Sequence, residues 1–404
     1  MLDLYNPDTY IPAPPHEAFA ELRRTSPVCW QDIPGDEGYW MILRHSDVVH
    51  VAKEPRLFSA ETGGVVVETL PQDQLENMRN MLLAMDPPRH IAWRRNIAPH
   101  FKARVISELE GQVRDITKAI MADAKEMGDV DFVHDVCAHL PSNVMGQIMG
   151  IPEEDRPQIH TWAEQQTSGS DPDINPDTYL EPPSANSSMQ MAMYAIEHAA
   201  KRREARANGA DFDPDLTDLV LAAEVDGRTM TDIDFGSFFV QLVTAGNDTT
   251  RTMLAGGTLA LLQHPETLEE VRADPSLIPG AVEEILRWAN PLHYFRRTAT
   301  EDAEISGQKI SEGEKLAMVY TSANRDEEVF DDPNGFNIHR SPNPHLSFGI
   351  AQHFCLGVHL ARLEGRVFFE ELLATFPVIE QTGPPRRIRS NLNNSIKELP
   401  LRLL

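Results

Sequence analysis

From Thr231 to Pro265 the chain runs about 33 residues without a proline, the longest helical pattern in the sequence. At 1.5 Å per residue that is roughly 50 Å, long enough to cross an entire domain, so every other element has to be arranged around it. Thr231-Asp232-Ile233-Asp234 supplies a capping box at its start. Halfway along, the apolar pattern is interrupted by Ala245-Gly246-Asn247-Asp248-Thr249-Thr250. An acid and two hydroxyls buried there cost stability unless they are paired. The segment is therefore either a polar kink in a core helix or a place where chemistry is done.

A second stretch, residues 345–366, places a lone cysteine between a glycine-containing loop and an amphipathic helix. Phe348 and Gly349 come first, then His353, Cys355 and Gly357, after which Leu356, Leu360, Leu363 and Val367 recur at helical spacing. Cys355 thus falls at or just before the first helical turn, where unpaired N–H groups and the helix dipole favour thiolate over thiol. Such a sulfur is a ligand or a nucleophile; as a nucleophile it needs a base, and His353 cannot easily reach it across a sharp turn. The bland alternative is a buried structural cysteine. Earlier, Pro87 and Pro88 open a helix expected to continue to about Arg104, with His90 and Arg94 four apart on one face, two donors that suit a carboxylate. Further on, residues 280–289 form a helix stopped by Asn290-Pro291, with Glu284 and Arg287 three apart.

The remaining chain reads as supporting structure. Residues 17–24 and 46–53 are short amphipathic helices flanking an apolar strand at 39–43, a small β-containing part over about 1–60. Residues 59–85 loosen around Gly63-Gly64 but stay apolar, either loop-core packing or a surface facing a ligand, with Leu82 and Leu83 as candidates. Residues 105–150 read as helical, and 153–207 as two helices separated by a polar loop near 168–186. Residues 292–299, 303–307 and 315–321 read as strands, as does 396–401, with Asn391 to Ser395 as its turn. Of the 404 residues, 36 are Lys or Arg and 62 are Asp or Glu; the net charge of −26 repels nucleic acid and anionic membranes. Three scattered cysteines argue against a disulfide framework and for a reducing compartment. The start of the sequence has neither a basic segment nor an apolar run, and no stretch of about 18 apolar residues occurs, so the expectation is a cytoplasmic protein with no membrane anchor.

Phe348-Gly349-x-x-x-His353-x-Cys355-x-Gly357 resembles the haem-thiolate loop of the cytochrome P450 family. Asp86-Pro87-Pro88-x-His90-x-x-x-Arg94, Ala245-Gly246-Asn247-Asp248-Thr249-Thr250 and Glu284-x-x-Arg287 resemble further motifs of that family, in the family's order. The resemblance implies a mainly α fold with a smaller β-rich subdomain, one domain over 1–404 enclosing haem b (iron protoporphyrin IX). Its helical core would be about 86–290, its thiolate loop and final helix about 345–375. It implies Cys355 as axial ligand to the iron, Phe348 beside the sulfur, and Gly349 and Gly357 where backbone approaches the porphyrin. His90, Arg94, Arg297 and His353 would bind the propionates, Ala245 would leave room for dioxygen, Thr249 would hydrogen-bond it and Asp248 would relay protons. Glu284, Arg287 and Arg340 would form a structural lock, the turn at Asn391 to Ser395 would dip toward substrate, and Leu82, Leu83, Val243, Tyr294 and Phe295 would line the pocket. One position departs: the family usually has glycine where Ala351 stands, which would reshape the turn slightly.

By the same resemblance, the chain would be a bacterial-type monomeric monooxygenase, inserting one atom of O2 into a C–H bond of a terpenoid, steroid side chain or alkyl chain. Electrons would come from a 2Fe-2S ferredoxin and an NAD(P)H-dependent ferredoxin reductase, docking on a basic patch of Arg94, Arg95, Lys102, Arg104, Arg362 and Arg366. A peroxygenase taking its oxidant from H2O2 needs no Asp248–Thr249 pair, and a non-catalytic haem sensor has no use for one.

Overall fold

The long helix spans Asp232–Gln263 in the computed structural model, which describes residues 3–169, 171–175, 183–210, 214–225 and 227–404. Its start is the capping box read from the sequence: the Asp234 N–H donates to Thr231 Oγ1 (3.1 Å) and the Thr231 N–H to Asp234 Oδ2 (3.1 Å). Helices His139–Ile148, Arg156–Thr167, Pro183–Ala207, Ile278–Ala289 and Val358–Thr375 pack around it. That surround explains why its apolar residues, from Phe235 to Leu261, fall on nearly every face. Close approach is allowed by small residues: a Cβ on Gly246 would stand 2.8 Å from the Met145 sulfur of a crossing helix. The space gained at Gly246 therefore serves helix packing as well as the cavity beside it.

Beside the helices lies a five-stranded sheet, ordered Val28–Ile33, Asp36–Ile42, Lys315–Val319, Tyr294–Ala299, Phe58–Ser59. Lys315–Val319 runs parallel to Asp36–Ile42 and antiparallel to Tyr294–Ala299. The β-rich part is thus not confined to residues 1–60; strands nearly 300 residues later complete it. Lys315, buried in the middle of the sheet, is held by Asp36 Oδ1 (3.1 Å) and the Glu37 carbonyl (3.0 Å).

Two sequence boundaries move. The helix opened by Pro87-Pro88 ends at Ile97, because Pro99 cannot donate to the ladder; a 3₁₀ turn, Ala98–Phe101, and a short helix, Ala103–Ser107, follow. Residues 105–150 are not helical throughout: Asp129–Asp131 is a strand paired with the terminal strand Pro400–Leu403. Part of the polar loop near 168–186 lies outside the described residues. No helix among the described residues is long and apolar enough to cross a membrane.

Candidate active site

The cysteine loop, the His90 helix and the long helix meet around a cavity of about 240 Å³. Cys355 lines it from the loop preceding the final helix Val358–Thr375, together with Phe348, Gly349 and Gly357. The loop is tied by the Cys355 N–H donating to the Phe348 carbonyl at 2.8 Å. Gly349 has φ +64°, a conformation that favours glycine. Ala351 keeps a left-handed φ of +61°, so the turn is not reshaped by its methyl group; the alanine carries the conformation at a cost. A Cβ on Gly357 would meet no protein atom within 4 Å, so the loop leaves space on that side for a flat group to lie against the backbone.

Burial pushes the Cys355 thiol above its ordinary pKa, while the Gly357 N–H and the charges of Arg94 and Arg362 pull it back. The helix-start effect expected from the sequence is therefore outweighed by desolvation, and a cation at the sulfur is needed to hold the thiolate. Among the described residues no cluster of three or more His, Cys, Asp or Glu could hold a bare metal ion. A metal at Cys355 has to arrive inside a cofactor.

At one edge of the cavity His90, Arg94, Arg297 and His353 converge. Both ring nitrogens of His90 and Nε2 of His353 are buried without a partner, and the two rings stand 4.4 Å apart. Arg94 donates to the Phe354 carbonyl (2.5 Å) and Arg297 to the Arg296 carbonyl (2.8 Å), and among the described residues neither has a carboxylate partner. Burial, reinforced by the neighbouring arginines, lowers His90 to about 4 and His353 to about 2. Burial also lowers both arginines. Four donors desolvated side by side, with no ion-paired acid among the described residues, suit an anion, and the two carboxylates of haem b would fit there.

Above the cavity the long helix presents Ala245, Gly246, Thr249 and Thr250. Thr249 Oγ1 donates to the Ala245 carbonyl at 2.6 Å, which places its hydroxyl on the helix's cavity face. Asp248 does not line the cavity. It is buried behind it, accepting from Arg251 Nη2 (2.5 Å) and Ser395 Oγ (3.1 Å), and Arg251 in turn pairs with Glu164 of helix Arg156–Thr167. The turn at Asn391 to Ser395 accordingly reaches the back of the long helix: Ser395 also bonds Thr252 (2.7 Å) and is not among the cavity residues.

The pocket candidates divide. Leu82, Leu83 and Phe295 line the cavity. Val243 does not: with helical geometry it points opposite to Ala245 and is fully buried among core side chains. Tyr294 does not either, because alternation along Tyr294–Ala299 turns it to the other face of the sheet, where it packs with Tyr10 and Val67. Val65 and Val67 likewise pack into the core, so only the end of the apolar 59–85 stretch faces the cavity. Several lining residues were not singled out in the sequence, Glu364 and Gln241 among them. Glu364 is buried, with Oε1 unpartnered and its pKa pushed up to about 8 by burial, and Gln241 stands one turn before Ala245. An acid on the apolar stripe of the final helix, four residues after Leu360 and three before Val367, was a readable signal for Glu364. Gln241 gave none, since a glutamine at the edge of a helix stripe is ordinary.

Away from the cavity, Glu284 and Arg287 are completely buried and joined by two bonds, Nε to Oε2 at 2.8 Å and Nη2 to Oε1 at 2.7 Å. Arg340 Nε reaches Glu284 at 3.3 Å, and Arg287 spends its remaining donors on the carbonyls of Asn324, Pro333 and Gly335. Of the expected basic patch, Arg94 points into the cavity, Arg362 pairs with Glu283, and Arg366 with Glu110 and Glu370.

The cytochrome P450 family profile matches residues 9–403. A steroid C26-monooxygenase of Mycolicibacterium smegmatis is 36% identical over 394 residues, 95% of this chain and 89% of that protein. A methyl-branched lipid omega-hydroxylase of Mycobacterium tuberculosis is 36% identical over 398 residues, 95% of this chain and 90% of that one. Among solved structures, a Mycobacterium marinum cytochrome P450 in complex with pseudoionone superposes with a TM-score of 0.88 at 36% identity, covering 96% of this chain and 94% of that one.

Proposed function

The chain belongs to the cytochrome P450 family and is a haem b monooxygenase, and from that premise we propose that its substrate is a hydrophobic small molecule of the steroid side-chain, terpenoid or alkyl class, hydroxylated with electrons from a 2Fe-2S ferredoxin and its NAD(P)H-dependent reductase. The observation that carries the reading is a single cavity with Cys355 on one side, the unpaired cations at its edge, and Ala245, Gly246 and Thr249 on the other. Bound there, thiolate-ligated haem supplies dioxygen activation and oxygen insertion. Cys355 would ligate the iron, His90, Arg94, Arg297 and His353 would hold the propionates, and Gly349 and Gly357 would give backbone room beside the ring. Phe348 shields the sulfur.

Thr249 keeps a hydroxyl inside a largely apolar cavity, where it can pass a proton that bulk water cannot deliver. Asp248 stands behind it, fixed by Arg251 and Ser395, and in this reading it is the acid that supplies protons toward Thr249. Leu82, Leu83 and Phe295 furnish apolar lining, in keeping with relatives named for steroid and lipid oxidation. The free cysteines suit a reducing cytoplasm. Turnover of wild type and Thr249→Ala with a ferredoxin and reductase tests the reading. The variant is expected to take up electrons normally but to yield less hydroxylated product and more hydrogen peroxide per NAD(P)H. Equal product yield sinks the role of Thr249, and efficient turnover of wild type with H2O2 alone replaces the monooxygenase with a peroxygenase.

A further inference from the structure

Most polar groups around the cavity either belong to the edge that suits an anion or are bonded within the protein. His90, Arg94, Arg297 and His353 form the donor edge, and Tyr320 lines the cavity within reach of the Arg297 charge. On the long helix Thr249 bonds the Ala245 carbonyl, and Thr250 turns toward Glu364 of the final helix at 3.5 Å. Thr244, off the cavity face, bonds Gln166 (2.6 Å).

Gln241 is different. It lines the cavity on the same helix face as Ala245, its carboxamide makes no hydrogen bond among the described residues, and its Oε1 is buried. The cavity it lines is largely apolar, with Phe238, Leu242, Leu82, Leu83 and Phe295 among the lining side chains. A carboxamide kept in apolar surroundings without a partner loses its hydration for nothing unless a ligand completes it. Whichever way the amide is turned, it offers a donor and an acceptor, so it serves a carbonyl or a hydroxyl equally and asks for no charge.

We propose that Gln241 is the specificity-determining contact of the substrate site, and that the substrate is an apolar molecule bearing a carbonyl or hydroxyl oxygen, oxidised at a carbon remote from that oxygen. The remoteness follows from helix geometry: Gln241 lies roughly 6 Å along the axis from Ala245 and roughly 12 Å from Thr249, the residues that flank the reacting end. A polar group seated on Gln241 therefore directs the opposite, apolar end toward the haem. The inference rests on the reading of this cavity as a monooxygenase substrate site and narrows its substrate class.

The test is binding to the haem-loaded enzyme, followed by the haem spin-state shift and by calorimetry, with two matched pairs: pseudoionone and the hydrocarbon of the same skeleton, and a 3-ketosteroid and its 3-deoxy counterpart. Wild type is expected to bind the oxygenated member of at least one pair on the order of ten- to a hundredfold more tightly, because the hydrocarbon leaves the carboxamide unpaired. Gln241→Met, which keeps length and helix propensity, should bring that ratio close to one, tighten the hydrocarbon, and leave the carbon monoxide spectrum unchanged. A wild-type ratio near one, or a preference that survives in Gln241→Met, overturns the role of Gln241 while leaving the hydrophobic pocket standing. Failure of all four compounds to bind overturns both.

Discussion

Two buried clusters of charge in this molecule are built on opposite principles. Around Glu284 every charge is answered: Arg287 and Arg340 pair with it, the Asn337 N–H and Asn343 Nδ2 add bonds at 2.8 and 3.1 Å, and Arg287 saturates itself on three carbonyls. Around His353 no charge is ion-paired among the described residues: two arginines, each bonded to a backbone carbonyl, crowd against two histidines whose buried ring nitrogens find no partner. The first cluster is complete without a ligand, so it joins the helix Ile278–Ala289 to the loop at 324–343 and does nothing else. The second is intelligible only with an anion in it. The contrast separates a structural ion cluster from a binding site by its unpaired groups, which the bare count of charged residues cannot do.

Breaking the complete cluster should have the largest effect. Arg287→Ala leaves the Glu284 carboxylate buried with only Arg340 and amide donors, and removing one partner of a buried pair costs about 3–5 kcal/mol. In the holoenzyme, loss of far-ultraviolet circular dichroism and loss of the Soret band should then move together to lower urea concentration. Arg297→Leu should behave differently. It removes a desolvated, unpaired cation, so the protein scaffold keeps its stability while haem escapes faster to apomyoglobin, by on the order of ten- to a hundredfold for a lost charge-assisted bond. The Soret transition is expected to precede the dichroism transition; coincident transitions in Arg297→Leu would erase the distinction between the two clusters.

The incomplete cluster should also make the haem-free protein acid-sensitive. His90 and His353 are lowered from 6.5 to about 4 and about 2 in the folded chain. Below pH 6.5 the unfolded chain binds protons that the folded chain does not, so their contribution is fully present above about 6.5. It is lost as pH falls toward 4, on the order of a few kcal/mol. Urea titrations of haem-free protein at pH 7 and pH 5 should show that loss, and His90→Phe should reduce it. Haem loading should flatten the dependence, since carboxylates beside the rings raise their pKa.

The sequence made much of this legible because its signals were local. The capping box at Thr231, the Cys355 loop and the paired Glu284 and Arg287 are short-range patterns whose geometry follows from helix periodicity. Tyr294 and Val243 were misplaced because a strand face and a helix face are decided by partners far away in sequence. Tyr294 lies opposite Val319, in a strand that no local pattern connects to it. Asp248 shows the same limit: its position on the long helix was readable, but its turn away from the cavity depends on Ser395 and on Arg251 held by Glu164. Gln241 is informative only because the fold sets it, unpartnered, on the wall of a largely apolar cavity.

The backbone of the two clusters differs as well, with the smallest effect. Left-handed residues occur near both clusters. Beside the paired cluster they are Asn290, at φ +33°, and Asp332, at φ +47°, residue types that tolerate this region because their short polar side chains bond locally. In the loop that carries His353 and Cys355 the left-handed residue is Ala351, at φ +61°, whose Cβ crowds the neighbouring carbonyl and gains nothing in return. Its side chain is exposed, so no packing compensates. Glycine removes the clash but makes the unfolded chain more flexible, and at left-handed positions the first effect is the larger. Ala351→Gly should therefore stabilise the holoenzyme by about 1 kcal/mol in urea titrations. Because φ is already glycine-like, the carbon monoxide spectrum should not move. A shifted spectrum would mean that the alanine had been shaping the cysteine loop after all, and unchanged or lowered stability would mean that the left-handed turn at 351 costs nothing.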